Sequence, residues 1–308
     1  MSSEMKRDSV GLTVVTSNID QAKREEPTDF CWTNRCEAMH ALLIASSLGV
    51  DAADVIVVQE MRNLTTSKFK LGHTFGELSD KLGGEPGTFV GIPFYYNESK
   101  YPFAGCIFYR RNRLRLLFVR HVRYGGPEEA CVRTLQFATF LDLKTDEEVT
   151  VVNIHFPMGE EDKWTAIRAL KDTINTHHSR VYDRVLAIGD WNFFDDLQGK
   201  AMRSEMTSFF DEDHVQPLHV KEKTETGSVD RKMYGTFIGF PHDNFHSDMT
   251  PDETGDRYGK MSRLDHAFGR GFDSTPAGGE VLLPEGANTI DHSTYPTDHC
   301  AIRVNLRY

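Results

Sequence analysis

Four short polar motifs follow one another along the chain: Asn18-Ile19-Asp20, Gln59-Glu60, Gly189-Asp190-Trp191-Asn192 and Thr297-Asp298-His299. Carboxylates, amides and a histidine are the groups that hold a hard divalent cation and stabilise a phosphoryl group during displacement. Three of the motifs end an apolar, β-branched run: Leu12 to Thr16, Val55 to Val58, and Val185 to Ile188. Such a run predicts a buried strand. A strand that stops at a carboxylate or an amide delivers that group to the rim of a sheet, where a site can be built. Two further strands are expected to end in the same style, Val149 to His155 and Arg263-Leu264-Asp265.

Around these strands the pattern predicts the elements that position them. Asn34 with Glu37 three residues on has the form of a helix N-terminal cap, and Gly49 fits the stop of a helix over 34–48. Further helices are expected at 75–82, 161–177 and 197–209; the second carries Trp164, Ile167, Leu170 and Ile174 at helical spacing. Gly105 to Arg110 and Leu114 to Val119 read as a hairpin across Arg111-Asn112-Arg113. Val132 to Leu143 and Val149 to His155 read as a second hairpin, and Ala301 to Leu306 as the final strand. The stretch from His242 to Lys260 has little apolar pattern and reads as a long loop before Asp265; loops of this length are commonly functional. Strands dominate and helices intervene irregularly. That favours an α/β (α+β) fold with two mixed sheets packed face to face and helices outside.

The 308 residues are 39% hydrophobic, ample for a sizeable core, and the motifs span 18 to 299, so residues 11–308 are expected to form one domain after a disordered 1–10. A net charge of -11 disfavours nonspecific nucleic-acid binding. A local basic groove or a bound divalent cation can still reverse the field at a site. The five cysteines are odd in number and lack CxxC spacing, which reads as buried free thiols and a reducing, intracellular compartment. No secretory leader is expected at Met1 to Ser9, and no apolar run approaches the roughly 20 residues of a membrane span, so a soluble protein is expected.

The ordered motifs resemble those of the endonuclease/exonuclease/phosphatase superfamily over about Leu12 to Leu306. No single motif is specific; five or six in order form the signal. The resemblance implies a four-layer sandwich and a Mg²⁺-dependent phosphodiesterase, with Mn²⁺ a possible substitute. It implies that Glu60 holds the metal, with Asn18 and Asp20 beside it and Asp298 near it. Asp190 orients or deprotonates the attacking water, Asn192 contacts the phosphate, and His299 sits on the scissile phosphate with Asp265 as its hydrogen-bonded partner. His155 matches a second histidine that some branches lack. Asn18-Ile19-Asp20 and Tyr295-Pro296-Thr297-Asp298-His299 are similar to motifs of tyrosyl-DNA phosphodiesterases and AP endonucleases. Ser17 departs from the Trp many relatives carry, and Gly235 to Phe240 is similar to bacterial and deadenylase-like members.

Nucleic acid or a nucleic-acid adduct is the leading substrate class. Phospholipid of the sphingomyelin type, phosphoinositides or inositol polyphosphates are the alternative, and an inactive binding scaffold is a third. Arg110, Arg113 and Arg133 are candidates to grip substrate phosphates, although a hairpin tip explains the first two equally well. Trp191 reads as a packing residue. His242 and His246 have the spacing of a zinc pair but follow Pro241 and lack helical support. No stable protein partner is expected.

Overall fold

The computed structural model describes residues 11–19, 32–46, 52–62, 74–83, 89–93, 103–124, 133–176, 183–194, 196–216, 218–224, 227–233, 263–273, 278–284, 295 and 299–308. The expectations for residues 1–10, the loop 242–260 and the His242–His246 pair fall outside these.

The elements in chain order are β1 (Gly11–Asn18), α1 (Trp32–Ala45), β2 (Val55–Arg62), α2 (Thr74–Gly83), β3 (Phe89–Pro93), β4 (Phe103–Arg110), β5 (Leu114–Tyr124), β6 (Arg133–Asp142), β7 (Glu147–His155), α3 (Glu160–Thr176), β8 (Val185–Asp190), α4 (Leu197–Phe209), β9 (Glu212–Asp213), β10 (Leu218–Thr224), β11 (Gly227–Met233), β12 (Asp265–Arg270), β13 (Gly279–Val281) and β14 (Ile302–Arg307). One sheet has the order β11-β10-β13-β14-β1-β2-β4-β3 and the other β5-β6-β7-β8-β12-β9. Both are mixed: β1 runs parallel to β2 and β7 parallel to β8, while most neighbours are antiparallel.

The sheets pack face to face through β1 and β2 against β7 and β8. Their β-branched runs are buried on both faces, which is why they read as continuous apolar stretches rather than alternating ones. Val14, Ile56, Val58, Val151, Leu186 and Ile188 belong to the cluster between the sheets, which also takes in Met39, Leu43 and Leu78 of α1 and α2. A second cluster joins the other face of the smaller sheet to α3 and α4, through Phe137, Ile154, Leu170, Trp191, Met206 and Phe268. The four expected layers are therefore present. Among the described residues no helix is long and apolar enough to cross a membrane.

Three local expectations are corrected. α1 begins two residues earlier than expected, so Asn34 lies inside its first turn. β4 and β5 are not a hairpin: β4 pairs with β2 and β3, β5 pairs with β6, and the turn between them crosses from one sheet to the other. Asp265 opens its strand instead of ending it. Because β12 is antiparallel to β8, with Asp265 opposite Asp190, its start lies on the same rim as the end of β8. The same reversal serves β14, whose Ile302 pairs with Thr16 and so leaves His299 beside the end of β1.

The crossover also relocates two arginines. Val55 pairs with Tyr109, so Arg110 sits at the start of β2, at the opposite end from Glu60. Its guanidinium donates to the Ala53 carbonyl at 3.0 and 3.3 Å and lies over the Phe89 ring. Arg113 donates to the Gly11 carbonyl at 3.0 Å and pairs with Asp142 and Asp54. Both close the far rim of the sandwich, away from the end that carries Glu60. Arg113→Ala would take the paired cation from the fully buried Asp142 carboxylate, leaving it the Lys144 N–H and the Tyr308 hydroxyl. It is expected to lower stability by about 3–5 kcal/mol in a denaturant titration while leaving kcat/KM within about twofold of wild type.

Candidate active site

The rim where β1, β2, β7 and β8 end, and where β12 and β14 begin, gathers seven of the residues expected in the site. Register fixes the arrangement: Asn18 pairs with Gln59, His155 with Asp190, and Asp190 with Asp265. Glu60 follows Gln59 at an irregularity between Val58 and Met61, with φ of 56°. A non-glycine residue in that region is strained, and such strain persists only where surroundings hold it. Asn192, just past the end of β8, has φ of 52°. Gly189 has φ of 138°, and a Cβ there would collide with the Ile154 carbonyl oxygen. The glycine of the Gly189-Asp190-Trp191-Asn192 motif therefore permits the close approach of β8 to β7 that sets Asp190 opposite His155.

Two groups of side chains meet at Asp190. On one side Asn18 Nδ2 donates to Glu60 Oε1 at 3.3 Å and to Asp190 Oδ2 at 3.1 Å. His155 Nε2 lies 3.4 Å from Glu60 Oε1 and 3.7 Å from Asp190 Oδ2. On the other side His299 Nδ1 donates to Asp265 Oδ2 at 2.8 Å, leaving Nε2 at 3.9 Å from Asp190 Oδ2. That bond fixes the ring and places the Nδ1 proton toward Asp265. Asn192 donates from its backbone N–H to Asp190 Oδ1 at 2.9 Å, and from Nδ2 to the Phe156 carbonyl at 2.9 Å. Its amide thus ties the β8 loop to the end of β7.

The electrostatics follow from burial. Asn18, Glu60, Asp190, Asp265 and His299 are all buried. Desolvation raises the Asp190 carboxyl to about 6; Asp265 and Glu60 push the same way, against His299 and the Asn192 N–H. A buried group of carboxylates fits a hard divalent cation, which removes the penalty of their shared negative charge. Glu60 and Asp190 supply oxygen donors on one side. Asp190, Asp265 and His299 present potential ligand atoms within 4.8 Å of one another on the other.

Not every candidate joins this constellation. Asp20 and Asp298 lie outside the described residues. Arg133 is the first residue of β6, and its backbone pairs with Tyr124 on the catalytic rim. Trp191 is fully buried against Phe156, Phe193 and Phe268, a packing residue as expected.

The rim also depends on residues the motifs did not single out. Asn153 Oδ1 accepts from Gln59 Nε2 at 2.9 Å, and its Nδ2 donates to the Val58 carbonyl at 3.0 Å. Gln59 reaches on to Thr16 Oγ1 at 3.1 Å. This buried network fastens the strained end of β2 to β7 and β1 directly beneath Glu60. Its signal was present: an asparagine amid Val151, Val152 and Ile154 is a buried polar group that must find partners. His266 Nδ1 meets Asp213 Oδ2 at 2.8 Å and its Nε2 meets the Arg263 carbonyl at 3.2 Å, while its own carbonyl accepts from Trp191 Nε1 at 3.0 Å. No spacing rule links Asp213 to His266.

The fold recurs among solved structures. The solved endonuclease/exonuclease/phosphatase protein of Bacteroides vulgatus is 17% identical with a TM-score of 0.65, covering 97% of this chain and 99% of that one. A mannosyl-6-phosphatase of Bacteroides thetaiotaomicron is 17% identical with a TM-score of 0.62, covering 96% and 100%. D. rerio TDP2 complexed with single strand DNA product is 15% identical with a TM-score of 0.55, covering 97% and 99%. These likenesses establish the fold. A comparison with curated protein sequences gives no match. The sequence profile of the Endonuclease/Exonuclease/phosphatase family matches residues 34–299, and the chain belongs to that family of phosphoester hydrolases.

Proposed function

We propose that the protein is a Mg²⁺-dependent phosphodiesterase, able to use Mn²⁺, that hydrolyses a phosphodiester bond in nucleic acid or a nucleic-acid adduct. The observation that carries this reading is the position of Asp190 between a carboxylate–amide group, Glu60 and Asn18, and an Asp265–His299 pair. Glu60 and Asn18 would hold the cation, which when bound neutralises charge developing on the nonbridging phosphoryl oxygens. His299, oriented by Asp265, donates from Nε2 to such an oxygen. Asp190, whose proton affinity burial has raised, accepts a proton from the attacking water as the new P–O bond forms. The ester oxygen opposite leaves with the electron pair of the broken bond and takes a proton from solvent water, giving a phosphomonoester and an alcohol. Asn192 holds the carboxylate of Asp190 in place through its backbone N–H.

The alternatives differ in what fills the rim. One solved protein with this fold is described as a mannosyl-6-phosphatase, so the test includes a monoester. A panel in Mg²⁺ of single- and double-stranded DNA, RNA, a 5′-tyrosyl oligonucleotide, inositol polyphosphates, sphingomyelin and mannose 6-phosphate separates them. Highest kcat/KM on a polynucleotide or its adduct supports the proposal. Preference for an inositol phosphate, a lipid or a sugar phosphate overturns the substrate class. Binding without turnover of any compound makes the chain an inactive scaffold.

A further inference from the structure

Six arginines, Arg110, Arg111, Arg113, Arg115, Arg120 and Arg123, fall in one short stretch, and no acidic residue occurs from Ser99 to Pro127 in a chain of net charge -11. Arg110 and Arg113 turn inward to the far rim. The other four lie on the crossover turn and along β5, where Arg111, Arg115 and Arg123 are exposed and Arg120 is half-buried. Neither Arg115 nor Arg120 has an ion-pair partner among the described residues. β5 is an edge strand of the smaller sheet. A bulge between Leu116 and Phe118 interrupts its pairing with β6, and Leu117 and Phe118 remain 43% and 45% exposed.

Charged residues on an edge strand also serve to keep two sheets from pairing edge to edge. That reading accounts for the arginines and not for the exposed Leu117–Phe118 pair, which on a bare edge invites the association that charge prevents. Guanidinium groups interleaved with an exposed aromatic ring are the combination that binds a single strand: cations track the phosphates and the ring stacks on a base. A duplex hides its base faces and would leave Phe118 unused. The strand also points to the site. At its rim end the Tyr124 hydroxyl donates to the His155 carbonyl at 2.7 Å, so whatever lies along β5 arrives beside His155. From Arg123 back to Arg115 the strand runs about 26 Å at roughly 3.3 Å per residue, a span that only an oligomer can cover.

We propose that β5 is an exosite for single-stranded nucleic acid, which lies along Arg115, Phe118 and Arg120 and enters the catalytic rim past Tyr124. This rests on the phosphodiesterase reading above and adds to it where, and in what form, the polymer is held.

The test compares labelled oligodeoxythymidylates of about 4 and about 16 nucleotides, by steady-state hydrolysis in Mg²⁺ and by fluorescence anisotropy in EDTA, with bis(p-nitrophenyl) phosphate as a small diester. The long strand should bind wild-type protein about tenfold or more tightly than the short one. R115E/R120E should raise KM and Kd for the long strand about tenfold and make the salt dependence of log Kd shallower by about 1.4, about 0.7 per lost phosphate contact. Phe118→Ala should weaken the long strand about fivefold or more. Hydrolysis of the small diester should be unchanged in all of them. R115Q/R120Q, which adds no new charge, should fall between wild type and R115E/R120E, so a folding defect in the reversed variant does not decide the matter. Equal affinity for the two lengths, or unchanged Kd and salt slope in R115E/R120E and R115Q/R120Q, overturns the exosite. So does loss of binding to phosphatidylserine vesicles with oligonucleotide binding intact, which would make β5 a membrane surface. If the small diester is cut and no oligonucleotide is, the nucleic-acid reading of the active site fails, and anisotropy with the uncut strand still decides the exosite.

Discussion

Asp190→Asn lowers kcat by about three orders of magnitude and leaves the fold intact. The amide keeps the shape of the carboxylate and one of its two acceptors: its oxygen can still take the Asn192 N–H, while its NH₂ then faces Asn18, whose own amide must turn over to accept. The new amide cannot take a proton from water, and removal of a positioned base is worth about 10²–10⁴ in rate. The same substitution has a stability signature. The Asp190 carboxyl in the folded, metal-free protein is raised to about 6, from an ordinary 3.8, so the folded state holds this proton more tightly than the unfolded state does. Its contribution to stability is present below pH about 4 and is lost as pH rises to about 6. Asp190→Asn, which is neutral throughout, removes that loss. In EDTA at pH 7 the variant should therefore melt above wild type, while at pH 4 the two should converge. Activity within tenfold of wild type, or a lower melting temperature than wild type at pH 7, contradicts this role.

His299→Ala lowers kcat/KM by about two to four orders of magnitude, the loss expected when an oriented donor to the phosphoryl oxygen is removed. Asp265 acts through the His299 ring, since its Oδ2 holds Nδ1 at 2.8 Å. Asp265→Asn alone should lose about tenfold or more, whereas Asp265→Asn/His299→Ala should be little worse than His299→Ala, a strong coupling between neighbours. Losses that multiply would make Asp265 an independent contributor, and the pair would not be the unit proposed.

The motifs carried most of the rim in their residue types. Glu60, Asp190 and His155 end β-branched runs, so their strands and their placement at strand ends could be read without a structure. Direction could not. Asp265 and His299 precede their strands, and only the antiparallel pairing of β12 with β8 and of β14 with β1 brings them to the same edge. Arg110 and Arg113 misled for the same reason. A basic turn between two short strands looks like a hairpin tip, and nothing local reveals that the strands belong to different sheets. The pairing of Asp213 with His266 and the bridge from Gln59 to Asn153 are tertiary facts, made by residues distant in sequence. Only their polarity within apolar surroundings announced that some partner must exist.

In the proposed function the buried carboxylates on this rim work by holding a divalent cation, with Glu60 as the principal ligand. The most direct measurement is a Mg²⁺ titration of bis(p-nitrophenyl) phosphate hydrolysis by metal-stripped wild type and Glu60→Gln, with isothermal titration calorimetry of Mg²⁺ or Mn²⁺ on both. Saturable activation from a baseline near zero is expected for wild type, with loss of metal affinity and about 10²-fold or more of the rate in Glu60→Gln and a folded protein throughout. Full hydrolysis by wild type in EDTA, or unchanged metal affinity in Glu60→Gln, contradicts it.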